Sequence, residues 1–273
     1  WRPYVAGDIT VHPVDCGHDE LMTPETLGMY SQQLKLAVEI PAVAPLPRRI
    51  GGPAGGLEPL VAVQRPAVVP LSFAQQRLWF IEQLQGPSSI YNMAVALRLD
   101  GRLDVEALGT ALADVVGRHE SLRTLFVAPE GIPQQLVVPV ERADFGWQVI
   151  DATDWPASRL EQALVAVVRE PFDLSAEIPM RAQLFRVADQ AHVLVAVVHH
   201  IASDGWSITP LVTDLGVAYA SRCAGQAPGW APLPVQYVDY TLWQRAQLGD
   251  LEDPHSRINQ QLGYWEQALA GMP

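Results

Sequence analysis

The sequence predicts a mixed α/β fold, and two observations carry this prediction. Residues 193–198 form a continuous run of Val, Leu and Ala without polar alternation, which is typical of a strand covered on both faces, as in the middle of a mixed sheet. From residue 71 onward, segments with helical periodicity alternate with strand-like segments, and one pair of strands is joined by a short Pro-Glu-Gly turn. Helix–strand crossovers mixed with a hairpin indicate an α/β sandwich rather than an all-parallel fold.

The elements can be predicted in order from their caps and periodicity. Ser72 and Gln75 form a capping box that starts an amphipathic helix ending near Gly86. Asp104 caps a second helix that ends near residue 117. The remaining predictions are strands over 91–99, 124–127, 134–138, 146–150, 180–187 and the central apolar run, and helices over about 156–169, 209–222, 235–247 and 255–269.

Composition limits the classes of function. The 273 residues are 49% hydrophobic, so we expect a folded chain. A formal net charge of −12 with 18 Lys plus Arg argues against a nucleic-acid surface, since phosphate binding needs a clustered basic face. The sequence shows neither an 18-residue apolar segment nor a secretion signal, so we expect no membrane association. Cys16 and Cys223 are widely separated, which predicts a reducing, cytoplasmic location and disfavours a disulfide framework or zinc site.

Residues 1–41 are predicted to form a short N-terminal strand–helix unit. A strand is expected over 8–15, and Thr-Pro-Glu at 23–25 favours the start of a helix to about residue 38. His18 lies between them, where an α/β-hydrolase places its catalytic base, but the chain has no Gly-x-Ser-x-Gly motif. The segment WRPYVAGDITVHPVDCGHDELMTPETL resembles the C-terminal end of the thioesterase domains of peptide synthetases, which implies a remnant without chemistry. Residues 42–69 are rich in Pro and Gly and are predicted to be a linker.

Two histidines end the central apolar run. Successive side chains of a strand point to opposite faces, so only one of His199 and His200 can face a substrate while the other packs. Asp204 follows after a short turn and can orient it, and Gly205 allows close backbone approach or a positive φ. The residues alone indicate one imidazole at a strand end. The opposite facing of the histidines disfavours a metal site that combines them with Asp204.

Four stretches carry a resemblance to a known family. They are SFAQQRLW at 72–79, RHESLRTLF at 118–126, HHIASDGWS at 199–207 and YVDYTLW at 237–243. Together they resemble the condensation domain of nonribosomal peptide synthetases over about residues 66–273, in the type that takes an L-configured donor. Thr241 stands where alanine is commoner. The resemblance implies a chloramphenicol-acetyltransferase-like mixed-sheet sandwich, in which residues 70–273 form the first of two lobes and the start of the crossover to the second. The fragment by itself is therefore expected to be inactive.

The resemblance also implies roles for the motif residues. His200 would face the tunnel and assist aminolysis of a thioester, holding the amine and accepting its proton. Because an α-amino group has a pKa of about 7.7 to 8.0, a strong base is not required. His199 is expected to pack and to form hydrogen bonds. In the family, Asp204 pairs with Arg123, and such a carboxylate–guanidinium pair would fix the turn that presents His200.

Further roles are implied around that turn. Arg118 would brace the same region or form a solvated helix end. Gly205 would clear space for a phosphopantetheine arm, with Trp206 and Ser207 beside it, although Trp206 fits a core position equally well. The aromatic residues of YVDYTLW recur at helical spacing and are expected to form a packing face.

The implied partners are an upstream donor carrier domain, a downstream acceptor carrier domain and an adjacent adenylation domain. No cofactor is expected to be bound by the domain itself, because substrates arrive on phosphopantetheine arms. The sequence following Asp-Gly disfavours an epimerase, and the paired histidines disfavour a heterocyclising domain, which would carry aspartates. A non-catalytic docking module of the same fold would be expected to lose the histidine motif. The upstream segments disfavour a free acyltransferase that uses coenzyme A.

Overall fold

The computed structural model describes residues 9–14 and 57–271, and its mixed α/β architecture confirms the predicted fold class. The strands are β1 Ile9–Val14, β2 Val69–Pro70, β3 Asn92–Asp100, β4 Thr124–Val127, β5 Gln134–Val137, β6 Gln148–Asp151, β7 Met180–Ala188 and β8 Ala191–His199. The α-helices are α1 Phe73–Gln85, α2 Val105–Arg118, α3 Ala157–Arg169, α4 Ile208–Cys223, α5 Tyr237–Leu248 and α6 Arg257–Ala268. Short 3₁₀ helices span Glu120–Arg123, Pro129–Gly131 and Val140–Arg142.

The strands form two sheets. The larger sheet has the order β1-β3-β8-β7-β6, in which β6 and β7 run parallel and the other pairs run antiparallel. The smaller sheet has the order β2-β5-β4 and is antiparallel. The apolar run of 193–198 lies in β8, the central strand of the larger sheet, as predicted.

Helices cover both faces of the larger sheet, so β8 is buried from both sides. One hydrophobic cluster contains Leu194 with residues of α2 and α4, and the other contains Val195 and Val197 with residues of α1 and α3. These three β8 side chains are at most 2% exposed. The alternation between clusters explains why an unbroken apolar run is required here: each position of the strand contacts one core or the other.

Local signals placed two elements correctly. The capping box of α1 is present, with the Ser72 hydroxyl accepting from the Gln75 backbone N–H at 3.2 Å and the Ser72 backbone N–H donating to Gln75 Oε1 at 2.9 Å. Strands β4 and β5 form the predicted hairpin, and its turn places Glu130 and Gly131 at φ values of 54° and 80°. Positive φ at these two adjacent positions helps to reverse the chain within the six residues 128–133 that connect the paired strands.

The N-terminal strand has a partner that the sequence analysis did not foresee. The strand predicted over 8–15 is confirmed as β1, but it pairs with β3 at the edge of the larger sheet, with Ile9 opposite Leu99 and Val14 opposite Ala94. Strand pairing uses backbone groups, so an open edge accepts an extended segment without a specific side-chain pattern. The predicted helix over 23–38, His18, and residues 42–56 of the predicted linker lie outside the described residues.

Residues 57–68 lack helix and strand but contact the rest of the structure. The Trp243 indole N–H donates to the Glu58 carbonyl at 2.6 Å, and the Glu58 N–H donates to Gln247 Oε1 at 3.1 Å. Arg65 lies 2.8 Å from Glu120 in an ion pair. This part of the predicted linker is therefore held against α5 and the 3₁₀ helix before β4. None of the helices within 57–271 is long and apolar enough to cross a membrane.

Candidate active site

The end of β8 presents the two histidines on opposite sides of the backbone, as the strand geometry predicts. His199 is 1% exposed, whereas the side chain of His200 is exposed to solvent. The backbone is fixed at both positions, because His199 N–H donates to the Pro179 carbonyl at 3.0 Å and His200 N–H donates to the Tyr91 carbonyl at 2.8 Å. The strand thus delivers one accessible imidazole at a rigid position.

The tautomer of His200 follows from its hydrogen bond. His200 Nδ1 lies 2.9 Å from the Ser203 carbonyl oxygen, which can only accept. Nδ1 must therefore carry the hydrogen, and in the neutral ring the lone pair is on Nε2. Because the ring is exposed, Nε2 is available to accept a hydrogen bond or a proton from another molecule.

His199 has the opposite tautomer. Its Nδ1 accepts from the Ile201 backbone N–H at 3.1 Å, which places the hydrogen of the neutral ring on Nε2. Burial, with a smaller contribution from His200, lowers the pKa of His199 to about 4, so the ring is neutral near pH 7. The ring contacts Tyr91 and, edge-on, Phe172, each with centroids 6.1 Å apart. The predicted packing role of His199 is confirmed.

Asp204 closes a local loop with Ser207. One carboxylate oxygen accepts from the Ser207 hydroxyl at 2.6 Å and from the Ser207 backbone N–H at 3.0 Å. These bonds lower the pKa of Asp204, with the Ser207 hydroxyl as the largest cause. Gly205 has neither a positive φ nor a close backbone contact, since a Cβ built there meets no described atom within 4 Å. A positive φ or a close backbone contact is therefore not the reason for a glycine in this structure, whereas its expected role of clearing space for a phosphopantetheine arm stays a prediction.

The predicted pair between Asp204 and Arg123 is wrong. Arg123 Nη1 donates to the Val138 carbonyl at 2.5 Å, and its Nε donates to the Gly117 carbonyl at 3.4 Å. These bonds hold Arg123 between the end of α2 and the end of β5. Asp204 instead accepts from Ser207, three residues away, and closing so short a loop costs little chain entropy. The turn is thus fixed by its own residues, and Arg123 stabilises a different junction.

Arg118 braces the helix that follows the motif. Its Nε donates to Asp214 Oδ2 at 2.8 Å, and its Nη1 donates to the Ala231 carbonyl at 2.8 Å. His119 Nε2 lies 2.7 Å from the same Asp214 oxygen. Of the two alternatives for Arg118, bracing is the correct one, although its anchor is α4. The contact between His119 and Asp214 could not be predicted, because Asp214 lies inside a helix, seven residues beyond the motif at 199–207, without a recognisable pattern.

The remaining motif residues take different positions. Trp206 is 88% exposed, so a core position for it is wrong. Ser207 is the partner of Asp204. On α5, the ring of Tyr240 contacts those of Tyr237 and Trp243 in tilted arrangements, at centroid distances of 5.4 and 5.9 Å, which confirms the aromatic face. The predicted tunnel positions beside Gly205 therefore lie on an open surface.

Thr241, where the resemblance leads to an expectation of alanine, uses its hydroxyl in two hydrogen bonds. The residue is fully buried, its hydroxyl donates to the Tyr237 carbonyl at 3.1 Å, and it accepts from Gln135 Nε2 at 3.2 Å. Gln135 in turn connects to Pro70 and Gln75, so the hydroxyl completes a buried polar network between β5, α1 and α5. An alanine here would leave one acceptor for Gln135 missing. Within the described ranges, three or more metal-ligating side chains do not cluster anywhere.

The structure thus combines a mixed sheet covered by helices on both faces with a central strand that ends at the paired histidines and is followed by the Asp-Gly turn. The family model of the condensation domain matches residues 66–273. The chain therefore belongs to the condensation domain family of nonribosomal peptide synthetases.

Two relatives illustrate the similarity. The isonitrile lipopeptide synthase of Mycobacterium tuberculosis (strain ATCC 25618 / H37Rv) is 68% identical over 215 residues, which cover 79% of this chain and 9% of the relative. The dimodular nonribosomal peptide synthase of Bacillus subtilis (strain 168) is 46% identical over 233 residues, covering 85% of this chain and 10% of the relative. The chain thus spans a tenth or less of these relatives.

Solved structures share the fold. The X-domain in its complex with OxyB from teicoplanin biosynthesis has a TM-score of 0.73 and 38% identity, covering 81% of this chain and 47% of that one. The starter condensation domain of the rhizomide synthetase RzmA has a TM-score of 0.64 and 20% identity, covering 76% of this chain and 49% of that one. The chain therefore spans about half the length of the solved chains that it matches.

Proposed function

We propose that this chain supplies the histidine side of a condensation site that forms peptide bonds. The amine of a carrier-bound aminoacyl group attacks a carrier-bound aminoacyl or peptidyl thioester of L configuration. The observation that carries the proposal is the exposed His200 ring, whose Nε2 is left as a free acceptor by the hydrogen bond from Nδ1 to Ser203. This is the group that aminolysis needs on the amine side of the reaction.

The demand on His200 is modest. An α-amino group with a pKa of about 8 has an appreciable neutral fraction near pH 7, so the attacking amine need not be deprotonated first. Nε2 holds the amine in line by accepting one of its N–H groups. As the C–N bond forms, the amine proton moves to Nε2, and as the C–S bond breaks, the proton passes to the departing thiolate. The Ser203 carbonyl stabilises the transient imidazolium through Nδ1–H.

The supporting roles follow from the contacts. The loop between Asp204 and Ser207 fixes the turn after His200, and Arg118 fixes the helix that begins after it. Gly205 and Trp206 border open space in which a phosphopantetheine arm can lie. We propose that donor and acceptor carrier domains and a neighbouring adenylation domain are the partners, and that the domain binds no cofactor of its own.

The second wall of the cleft belongs to the part of the domain that this chain does not span. The matched solved chains are about twice as long as the segment aligned here. Trp206 and the neighbouring Ile208 and Val212 are exposed apolar side chains that such a wall would cover. Residues 1–273 alone are accordingly expected to be inactive in condensation.

The test uses the complete domain with loaded donor and acceptor carriers. Dipeptide formation is followed by mass spectrometry for wild type, His200→Ala and the control His255→Ala, which changes an exposed histidine on the loop before α6. Loss of a positioned proton acceptor predicts a fall of roughly 100-fold or more for His200→Ala. The His255→Ala control is expected to match wild type. Turnover of His200→Ala within twofold of wild type contradicts the role given to His200.

One observation favours a second candidate, a non-catalytic docking module. The X-domain, reported in complex with OxyB, has a higher TM-score to this chain than the starter condensation domain has. The same experiment separates the two functions. Docking alone predicts no dipeptide above the enzyme-free background for wild type and His200→Ala alike, whereas condensation predicts product from wild type that His200→Ala largely loses.

A further inference from the structure

The last turn of α1 points Glu82 at the buried histidine. Glu82 Oε2 lies 3.8 Å from His199 Nε2, and the Glu82 side chain is 11% exposed. This oxygen is buried and has no hydrogen-bond partner among the described residues. A buried carboxylate oxygen without a donor is costly, so its position beside the motif requires an explanation.

Among the charged groups around Glu82, no cation forms an ion pair that would stabilise its carboxylate within the described residues. His199 faces it from β8, and Asp173 acts on it from the loop before β7. Of the two arginines of β7, Arg181 is occupied by Glu177 at 2.7 Å and by the carbonyls of Glu170 and Pro171, and Arg186 is paired with Asp151 at 2.6 Å. Burial, and then repulsion by Asp173, raise the pKa of Glu82 to about 7. The carboxyl therefore changes its charge in the range in which the enzyme is expected to work.

His199 connects Glu82 to the backbone of His200. Its Nδ1 can accept the Ile201 N–H only while the ring hydrogen is on Nε2. A carboxylate opposite Nε2 favours that tautomer, since a lone pair in the same place would be repelled. The bond to Ile201 and the bond from His200 N–H to Tyr91 together fix the backbone on both sides of His200.

We propose that Glu82 is a positioning residue for His200 and acts through the ring of His199. Its catalytic consequence rests on the proposed function of His200, whereas its effect on the tautomer of His199 does not. The ionised carboxylate keeps Nε2–H on His199 and so preserves the bond to Ile201. A protonated Glu82 can donate to Nε2 and favours the Nδ1–H tautomer, which cannot accept from Ile201. The support that Glu82 gives to the bond between His199 and Ile201 therefore weakens as the pH falls through about 7.

The first experiment measures the tautomer of His199 in the 273-residue chain. Long-range ¹H–¹⁵N spectra of ¹⁵N-histidine-labelled protein are recorded at pH 6, 7 and 8, and the His199 signals are assigned with His199→Gln. Wild type is expected to show the Nε2–H tautomer at pH 8 and a lower fraction of it at pH 6. Glu82→Leu is expected to lose this pH response, and Gln83→Leu, on the exposed face of the same helix, to keep it. An identical His199 response in wild type and Glu82→Leu overturns the proposal.

The second experiment measures dipeptide formation by the complete domain. Glu82→Leu is expected to be about 10-fold slower than wild type at pH 8, while Glu82→Gln, whose amide oxygen can accept from Nε2–H, recovers most of the rate. Rates for Glu82→Leu equal to wild type overturn the catalytic part of the proposal. If His200→Ala is fully active while Glu82→Leu still alters the His199 tautomer, the proposed function fails and the coupling stands.

Discussion

Replacing His199 with asparagine is expected to change how stability depends on pH. In the folded protein the pKa of His199 is lowered from 6.5 to about 4, chiefly by burial. Between pH 7 and pH 5 the unfolded chain therefore takes up a proton at this residue that the folded protein does not bind, so the free energy of unfolding falls as the pH falls. At about 1.4 kcal/mol per pKa unit, this difference amounts to roughly 2 kcal/mol over that range.

Asparagine retains an acceptor for the Ile201 N–H but does not titrate. The variant loses ring packing against Tyr91 and Phe172, and this loss is the same at both pH values. The gap in stability between wild type and variant should therefore narrow by roughly 2 kcal/mol from pH 7 to pH 5. The raised pKa of Glu82 makes the free energy of unfolding change with pH in the opposite direction. Its causes, burial and Asp173, are present in both proteins, so this contribution largely cancels when wild type and variant are compared.

The measurement is urea unfolding followed by tryptophan fluorescence at pH 7 and pH 5, for wild type, His199→Asn and the exposed-site control His255→Asn. The control should follow wild type at both pH values. A gap between wild type and His199→Asn that is the same at pH 7 and pH 5 refutes the argument that His199 is buried in its neutral form.

Two further predictions concern the supports of the site. Asp214→Ala removes the acceptor shared by Arg118 and His119 and should lower the free energy of unfolding by about 3 kcal/mol in chemical denaturation. Asp214→Asn should lower it by less. A loss below about 0.5 kcal/mol is the size expected of an exposed ion pair and would contradict a stabilising role for Asp214. Gly109→Ala, in α2, places a Cβ 2.6 Å from Trp147 Nε1 and should lower the free energy of unfolding by about 1–3 kcal/mol. Gly263→Ala, inside α6 with open space around it, should gain up to about 1 kcal/mol by helix propensity. A melting temperature of Gly109→Ala equal to or above that of wild type contradicts the close packing of α2 against Trp147.

Features encoded by neighbouring residues could be predicted from the sequence. The capping box at Ser72, the hairpin around Gly131 and the buried strand ending at His199 depend on spacing within a few residues, so local patterns predict them. The opposite facing of His199 and His200 follows from strand geometry alone. Local patterns thus predicted that one of the two histidines is accessible at the strand end, and the family resemblance selected His200 as that residue.

Contacts between distant segments could not be predicted in this way. The pair between Arg123 and Asp204 was expected from the family, but each residue has nearer partners that satisfy its hydrogen bonds. Glu82 and Asp214 lie in helices whose periodicity indicates only that they are helices. Glu82 meets His199, and Asp214 meets Arg118 and His119, only because the fold brings other elements to these helices, and a local sequence pattern does not encode such contacts.

The proposed function requires that the fold hold His200 with its Nε2 free to accept a hydrogen bond from the amine. Its most direct test is the tautomer of His200, measured in the same ¹⁵N-histidine spectra of the wild-type chain at pH 8 and assigned with His200→Ala. The bond to Ser203 predicts that His200 carries its hydrogen on Nδ1, opposite to His199. A His200 ring with its hydrogen on Nε2 would contradict the account, because the exposed nitrogen would then be a donor and could not take the proton of the attacking amine.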